Sequence, residues 1–425
     1  MSILAASATQ EVLRARFNKI RQRTELICSP LEPEDTVVQP IVDVSPPKWH
    51  IAHTSWFFET LILQEHLPTY KIFHPQYAFL FNSYYNSLGS RVLRHQRSTI
   101  TRPPLRDVLA YRSYVNEHMN ELLQELPEEK IIKLLPLLEL GLQHEQQHQE
   151  LLMTDIKYIL GTNPMLPAYL PPPEPQEQSI KTEARFLEVP GGKYKIGYQG
   201  DGFCFDNELG VHEVQVEDFE IMNRLVTNGE YLAFMQDGGY GDFRHWLDEG
   251  FAMVKEQQLE APLYWVKQGD AWHRFTLHGL QPVDLNEPVC HLSFYEANAF
   301  ANWAGRRLLT EFEWEAATQV YPPQNGNFVE SGLLEPAAAD PAADGVQQLY
   351  GDLWEWTYSA YHPYPGFSKA PGAVGEYNGK FMINQMVLRG GSCATPESHI
   401  RTSYRNFFHP DKRWQYNGIR LAGKK

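Results

Sequence analysis

The 425-residue chain has no long hydrophobic run, and no apolar stretch approaches the roughly 20 residues that a membrane-crossing helix needs. It is also short of positive charge. Lysine and arginine total 37 against 52 acidic residues, and the net charge of -15 would repel nucleic acid and anionic membrane surfaces, so neither is expected as a partner. Cysteine is scarce: Cys28, Cys204, Cys290 and Cys393 show no paired metal spacing, which excludes a disulfide scaffold and leaves reduced thiols as the expectation. Met1 to Ser7 lack the basic start of a secretory signal and run into a charged, helix-like Glu11 to Arg23, so a cytoplasmic protein is expected. There is no tandem repeat. With 43% hydrophobic residues, the length fits a globular protein of about two to four domains.

Apolar periodicity predicts helices near 8–27, 47–65, 104–126 and 135–160, between breaks at Pro46-Pro47, Pro103-Pro104 and Pro127. Pro136 suits a first helical turn better than an interior, which predicts the start of the last helix there. Four long helices predict a bundle over residues 1–163. Residues 164–184 are proline-rich and predict an extended linker. From 185 to 425 glycine, aromatics and short strand-like pieces predominate, with brief helical patches near Asn228–Gln236 and Phe294–Ala304. The fold class expected is α+β in two domains.

In the last predicted helix, His144 and His148 lie four residues apart on a face with Leu137, Leu140, Leu151 and Leu152. Buried imidazoles need partners: neighbouring groups of a core, or a first-row divalent cation, which neutral imidazole suits. Glu145 directly follows His144, the position at which the zinc-protease motif carries its general base. A third histidine is found upstream, where Pro46-Pro47 opens a helix and His53 shares its inward face with Trp49, Ala52 and Trp56. His50, one turn back, fits the surface or a supporting position. Three imidazoles with no obvious carboxylate or thiolate leave coordination positions open, as a catalytic site requires and a closed structural site does not.

In the second half stand Gly191-Gly192, Glu287-Pro288-Val289, the run from Ala301 to Glu315, Gly351-Asp352-Leu353-Trp354-Glu355-Trp356 and Leu388-Arg389-Gly390-Gly391-Ser392. Together they resemble the formylglycine-generating-enzyme fold, a C-type-lectin-like domain. Trp303, Trp314, Trp354 and Trp356 are expected in its core. Thr395 and Ile400 stand where that enzyme has its catalytic cysteines, with Cys393 at an aromatic position, so its thiol chemistry does not carry over. His144, His148 and Glu150 match the His-x3-His-x-Glu pattern of a DinB-like four-helix bundle. The fusion resembles the non-haem iron sulfoxide synthases of ergothioneine biosynthesis over nearly the whole chain, through the His53 segment, His144 to Glu150, and Arg405-Asn406-Phe407-Phe408-His409-Pro410. Related ovothiol enzymes typically append a methyltransferase domain, absent before Lys425, which favours hercynine over histidine as acceptor.

The resemblance implies ferrous iron on His53, His144 and His148, with hercynine, a thiolate donor and dioxygen as the small-molecule partners. Glu150 turns to another face and implies a supporting role. Gln147 and Asn406 match positions that hold hercynine, with Phe407 as an aromatic wall beside its trimethylammonium group, or as ordinary packing. Relatives using γ-glutamylcysteine carry an aspartate where Phe408 stands, whereas Phe81 to Ser87 resembles the subtype using free cysteine. One of Tyr84 and Tyr85 would then donate a proton or hydrogen bond to oxygen in the iron pocket; either could instead be packing. Arg94 and Arg97 are the choice for the donor's carboxylate, with a solvated basic face as the alternative. Two other readings stand beside this one: a DinB-type metal-dependent thiol transferase, and a binding module with a structural zinc.

Overall fold

The computed structural model describes residues 3–171, 179–369, 375 and 378–424, so 172–178 of the proline-rich stretch lie outside it. The chain divides into two units, Met1–Tyr169 and Leu170–Lys425.

The first unit contains α1 (Ile3–Cys28), α2 (Pro47–Phe58), α3 (Gln64–His66), α4 (Tyr77–Phe81), α5 (Leu105–Glu125) and α6 (Glu128–Gly161). α1 and α2 each pack on both α5 and α6, which closes a four-helix bundle and makes α2 and α6 neighbours. Pro47 at the first position of α2 needs no intrahelical donor, and every residue of the helix is buried. Gly141 of α6 allows the close approach: a Cβ there would lie 2.8 Å from the Phe58 ring and 2.9 Å from that of Phe57. A π-type turn over Glu59–Leu63 follows α2 and carries Glu59 inside, where the hydroxyls of Tyr70 and Tyr111 donate to it.

Pro136 does not start α6; the helix begins at Glu128 and runs through the proline. Pro136 is exposed, and so is Ile132, whose carbonyl loses its donor, so the unmade bond falls on the water side. Pro127 precedes the true start, with Glu128 and Glu129 at the electropositive first turn.

The second unit holds two four-stranded sheets. One runs in the order Phe186–Val189, Phe219–Met222, Leu421–Lys424, Arg307–Leu308; the other in the order Asn406–Phe408, Met386–Arg389, Trp354–Ala360, Asn417–Gly418. Four longer helices accompany them: α7 (Asn228–Gln236), α8 (Asp248–Gln257), α9 (Phe294–Trp303) and α10 (Glu311–Val320). α7 and α9 fall on the two predicted patches, whereas α8 and α10 were not expected. α10 carries a Thr310/Glu313 capping box, and α8 ends on Gln258 at φ 52°, a left-handed position with no glycine to signal it.

Trp314, Trp354 and Trp356 are buried in this unit, but Trp303 is half-buried and its indole N–H donates to Asp237. The motif glutamates form buried ion pairs: Glu311 with Arg405, Glu315 with Arg389 and Glu355 with Arg420. These glutamates are thus tied to packing in this chain, since a buried carboxylate must keep its guanidinium. Thr395, at a position of the missing cysteines, accepts from the Ser392 N–H at 2.8 Å.

Candidate active site

α2 presents Trp49, His53 and Trp56 on one face, and the rings stack: Trp49 lies 4.5 Å from His53 at 13°, and Trp56 lies 5.4 Å away at 15°. α6 brings His144 and His148 opposite. The ligand nitrogens of His53, His144 and His148 lie within 4.8 Å of one another, the one such cluster of three or more among the described residues. His53 Nε2 is 3.2 Å from His144 Nε2, the spacing of two nitrogens bound to one cation at about 2.0–2.1 Å. His53 Nδ1 donates to the Phe81 carbonyl at 2.6 Å, at the end of α4 where carbonyls lack helical donors, so its Nε2 lone pair faces the cluster. The residues therefore fit a divalent metal.

Burial pushes all three imidazoles toward the neutral, ligating form: His144 falls to about 3, and His53 and His148 well below the ordinary range. His53 and His144 are fully buried, whereas His148 is half-buried and keeps an opening toward solvent. Glu145 is no general base. Burial would raise its pKa, but Arg112 and Arg21 outweigh that and hold it at about 2, with Arg112 Nη2 at 2.5 Å and Arg21 Nη1 at 2.9 Å. Glu150 is buried on α6.

The segment after α4 is wired into the same place. Arg97, 5% exposed, lies 3.4 Å over the Trp49 ring and donates to Ser45 Oγ and Ser83 Oγ. Its buried Nε–H meets no acceptor among the described residues, and burial lowers its pKa to about 9. Arg94 donates to the Tyr84 hydroxyl at 2.7 Å and to the Asp43 carbonyl. Tyr85 is buried with its ring 5.4 Å from Trp56. A solvated basic face is therefore not what Arg94 and Arg97 form. Gln147 is half-buried beside His148.

In the second unit Asn406, Phe407 and Phe408 are half-buried on one short strand. Strand alternation sets Asn406 and Phe408 on one face and Phe407 on the other, where it stacks 4.1 Å from Tyr361. Phe408 meets the Trp414 ring at 5.5 Å.

Sequence reasoning missed Asp155. Its Oδ2 lies 2.9 Å from His50 Nε2, and His50 Nδ1 lies 2.9 Å from His148 Nδ1. Seven residues after His148, Asp155 continues that helical face, which was the available signal. His50 is buried rather than superficial, and burial lowers its pKa.

These units define a DinB-type helical bundle with a three-histidine cluster, joined to a domain of the formylglycine-generating type. The DinB superfamily matches residues 16–152, and the sulfatase-modifying factor enzyme 1-like domain matches residues 171–425. A protein named hercynine oxygenase in Mycolicibacterium smegmatis is 32% identical over 407 residues, covering 89% of this chain and 91% of that protein. Its namesake in Mycobacterium tuberculosis is 32% identical over 406 residues, with the same coverage of 89% and 91%. A formylglycine-generating enzyme of Thermomonospora curvata is 27% identical over 279 residues, covering 56% of this chain and 92% of that one. The chain belongs to the hercynine oxygenase family.

Proposed function

We propose that this chain is a hercynine-acting oxygenase of ergothioneine biosynthesis that joins the sulfur of free cysteine to C2 of the hercynine imidazole and oxidises that sulfur. The observation that carries the reading is the convergence of three neutral imidazoles from α2 and α6, supported by full-length relatives bearing the hercynine oxygenase name. Those relatives span both units, which the thiol-transferase and zinc-module readings leave unexplained. A cytoplasmic location is part of the proposal.

The overall reaction balances with one dioxygen. The imidazole C2–H and the thiol S–H are lost, one oxygen atom stays on sulfur, and the other leaves as water with the two hydrogens. Ferrous iron held by His53, His144 and His148 would relay electrons from the two substrates to dioxygen and acidify a bound thiol.

The chain's own residues do the rest. Arg97 is a buried cation that donates to two neutral hydroxyls and whose Nε–H meets no acceptor among the described residues, which supports binding of an amino acid carboxylate. Arg94 fixes Tyr84 by donating to its oxygen, an arrangement that does not consume the phenol proton; Tyr84 or Tyr85 is the proposed proton donor. Gln147 is a proposed contact for hercynine, as are Asn406 and Phe407. Phe408 offers no anion for the distant ammonium of γ-glutamylcysteine, which favours cysteine.

The test is anaerobic reconstitution with ferrous iron, followed by metal analysis and oxygen uptake. One iron per chain and uptake requiring both hercynine and cysteine are expected. Alanine at His53, His144 or His148 should abolish both, and a variant that keeps full iron and uptake would remove that residue from the site.

A further inference from the structure

His50 and Asp155 are absent from the ligand set, yet both are buried beside it, and together they form a chain of hydrogen bonds ending on His148. Asp155 is itself anchored: its Oδ2 accepts from the Ser45 backbone N–H at 2.8 Å. The polarity of the chain follows from its end. An ionised carboxylate only accepts, so His50 must donate from Nε2, which leaves His50 Nδ1 as the bare nitrogen. Across the 2.9 Å separation His148 Nδ1 must then carry the hydrogen, and the lone pair of His148 lies on Nε2. The Phe81 carbonyl imposes the same tautomer on His53.

We propose that Asp155 and His50 act as a two-step positioning relay that fixes His148 as the Nδ1–H tautomer, orients its ring and makes its Nε2 a better donor to the metal. The relay rests on the three-histidine reading above. It differs from the usual arrangement, in which a carboxylate or carbonyl touches the liganding histidine directly, by interposing a second imidazole. Outer partners of this kind change metal affinity by about 10–100-fold when removed.

Cobalt(II) affinity of the full chain, measured by competition with a chelator, tests the relay without turnover. Asp155→Asn and His50→Phe should each weaken cobalt binding by about 10–100-fold, with circular dichroism confirming the fold. His53→Ala should weaken it further. If His53→Ala binds cobalt as the unaltered chain does, the three-histidine reading fails and the relay with it. Loss in His53→Ala with none in folded Asp155→Asn and His50→Phe would overturn the relay alone. Should both relay variants fail to fold, long-range ¹⁵N–¹H spectra of the metal-free chain decide: His148 protonated on Nδ1 supports the relay, and protonation on Nε2 overturns it.

Discussion

Glu145 and Arg112 form an ion pair at 2.5 Å with both side chains fully buried, and Arg21 completes it at 2.9 Å. The residue directly after His144 thus holds helices together. α6 contributes the carboxylate, and α1 and α5 the guanidiniums.

Glu145→Gln should accordingly destabilise the fold by about 3–5 kcal/mol, because the buried Arg21 would lose its carboxylate and the buried Arg112 would keep only the exposed Glu25. With its folded pKa depressed from 4.5 to about 2, the ionised group stabilises the protein above pH 4.5, and that contribution is lost as pH falls toward 2. Urea denaturation at pH 7 and pH 3 checks both statements. Unchanged stability with abolished turnover would instead mark Glu145 as a catalytic base.

The bundle and the three histidines were legible because i, i+4 spacing and proline breaks act locally. Residue 155 was not, since its bond to His50 spans 105 positions and exists only once α2 packs on α6. Pro136 misled because the cost of a proline depends on whether the orphaned carbonyl meets water, which periodicity does not reveal. The stop of α8 at Gln258 was equally silent. Arg97 read as basic surface or carboxylate clamp; its stacking on Trp49 comes from the three-dimensional fold.

Burial raises Asp352 to about 6, above its ordinary 3.8, so the folded state binds this proton more tightly than the unfolded chain. Stability attached to that proton is present below pH 3.8 and is lost as pH rises through 6. Asp352→Asn keeps an oxygen for the Ala337 N–H and the Asn327 amide, and asparagine tolerates the φ of 53°. The variant should be more stable than the parent at pH 7.5 by on the order of 1–3 kcal/mol, with the difference vanishing near pH 4. Thermal melts at the two pH values read this directly, and an equal shift at both would contradict the assignment.

Tyr84 and Tyr85 should govern the outcome of oxygen chemistry more than substrate binding, because a proton donor acts in the transition state. In one of Tyr84→Phe and Tyr85→Phe, carbon–sulfur product should fall and simple cysteine oxidation rise, with KM for cysteine little changed. Product ratios by mass spectrometry check this. Unchanged rates and ratios in both single variants and the double variant would make the tyrosines packing.

Iron on three histidines is proposed to couple cysteine sulfur to hercynine, and the product formed under ¹⁸O₂ decides whether it does. Iron-loaded chain is given hercynine with cysteine or with γ-glutamylcysteine, and each product is analysed by mass spectrometry. Hercynylcysteine sulfoxide carrying one labelled oxygen is expected, with the higher kcat/KM for cysteine. Absence of any carbon–sulfur product from hercynine with either donor would contradict it.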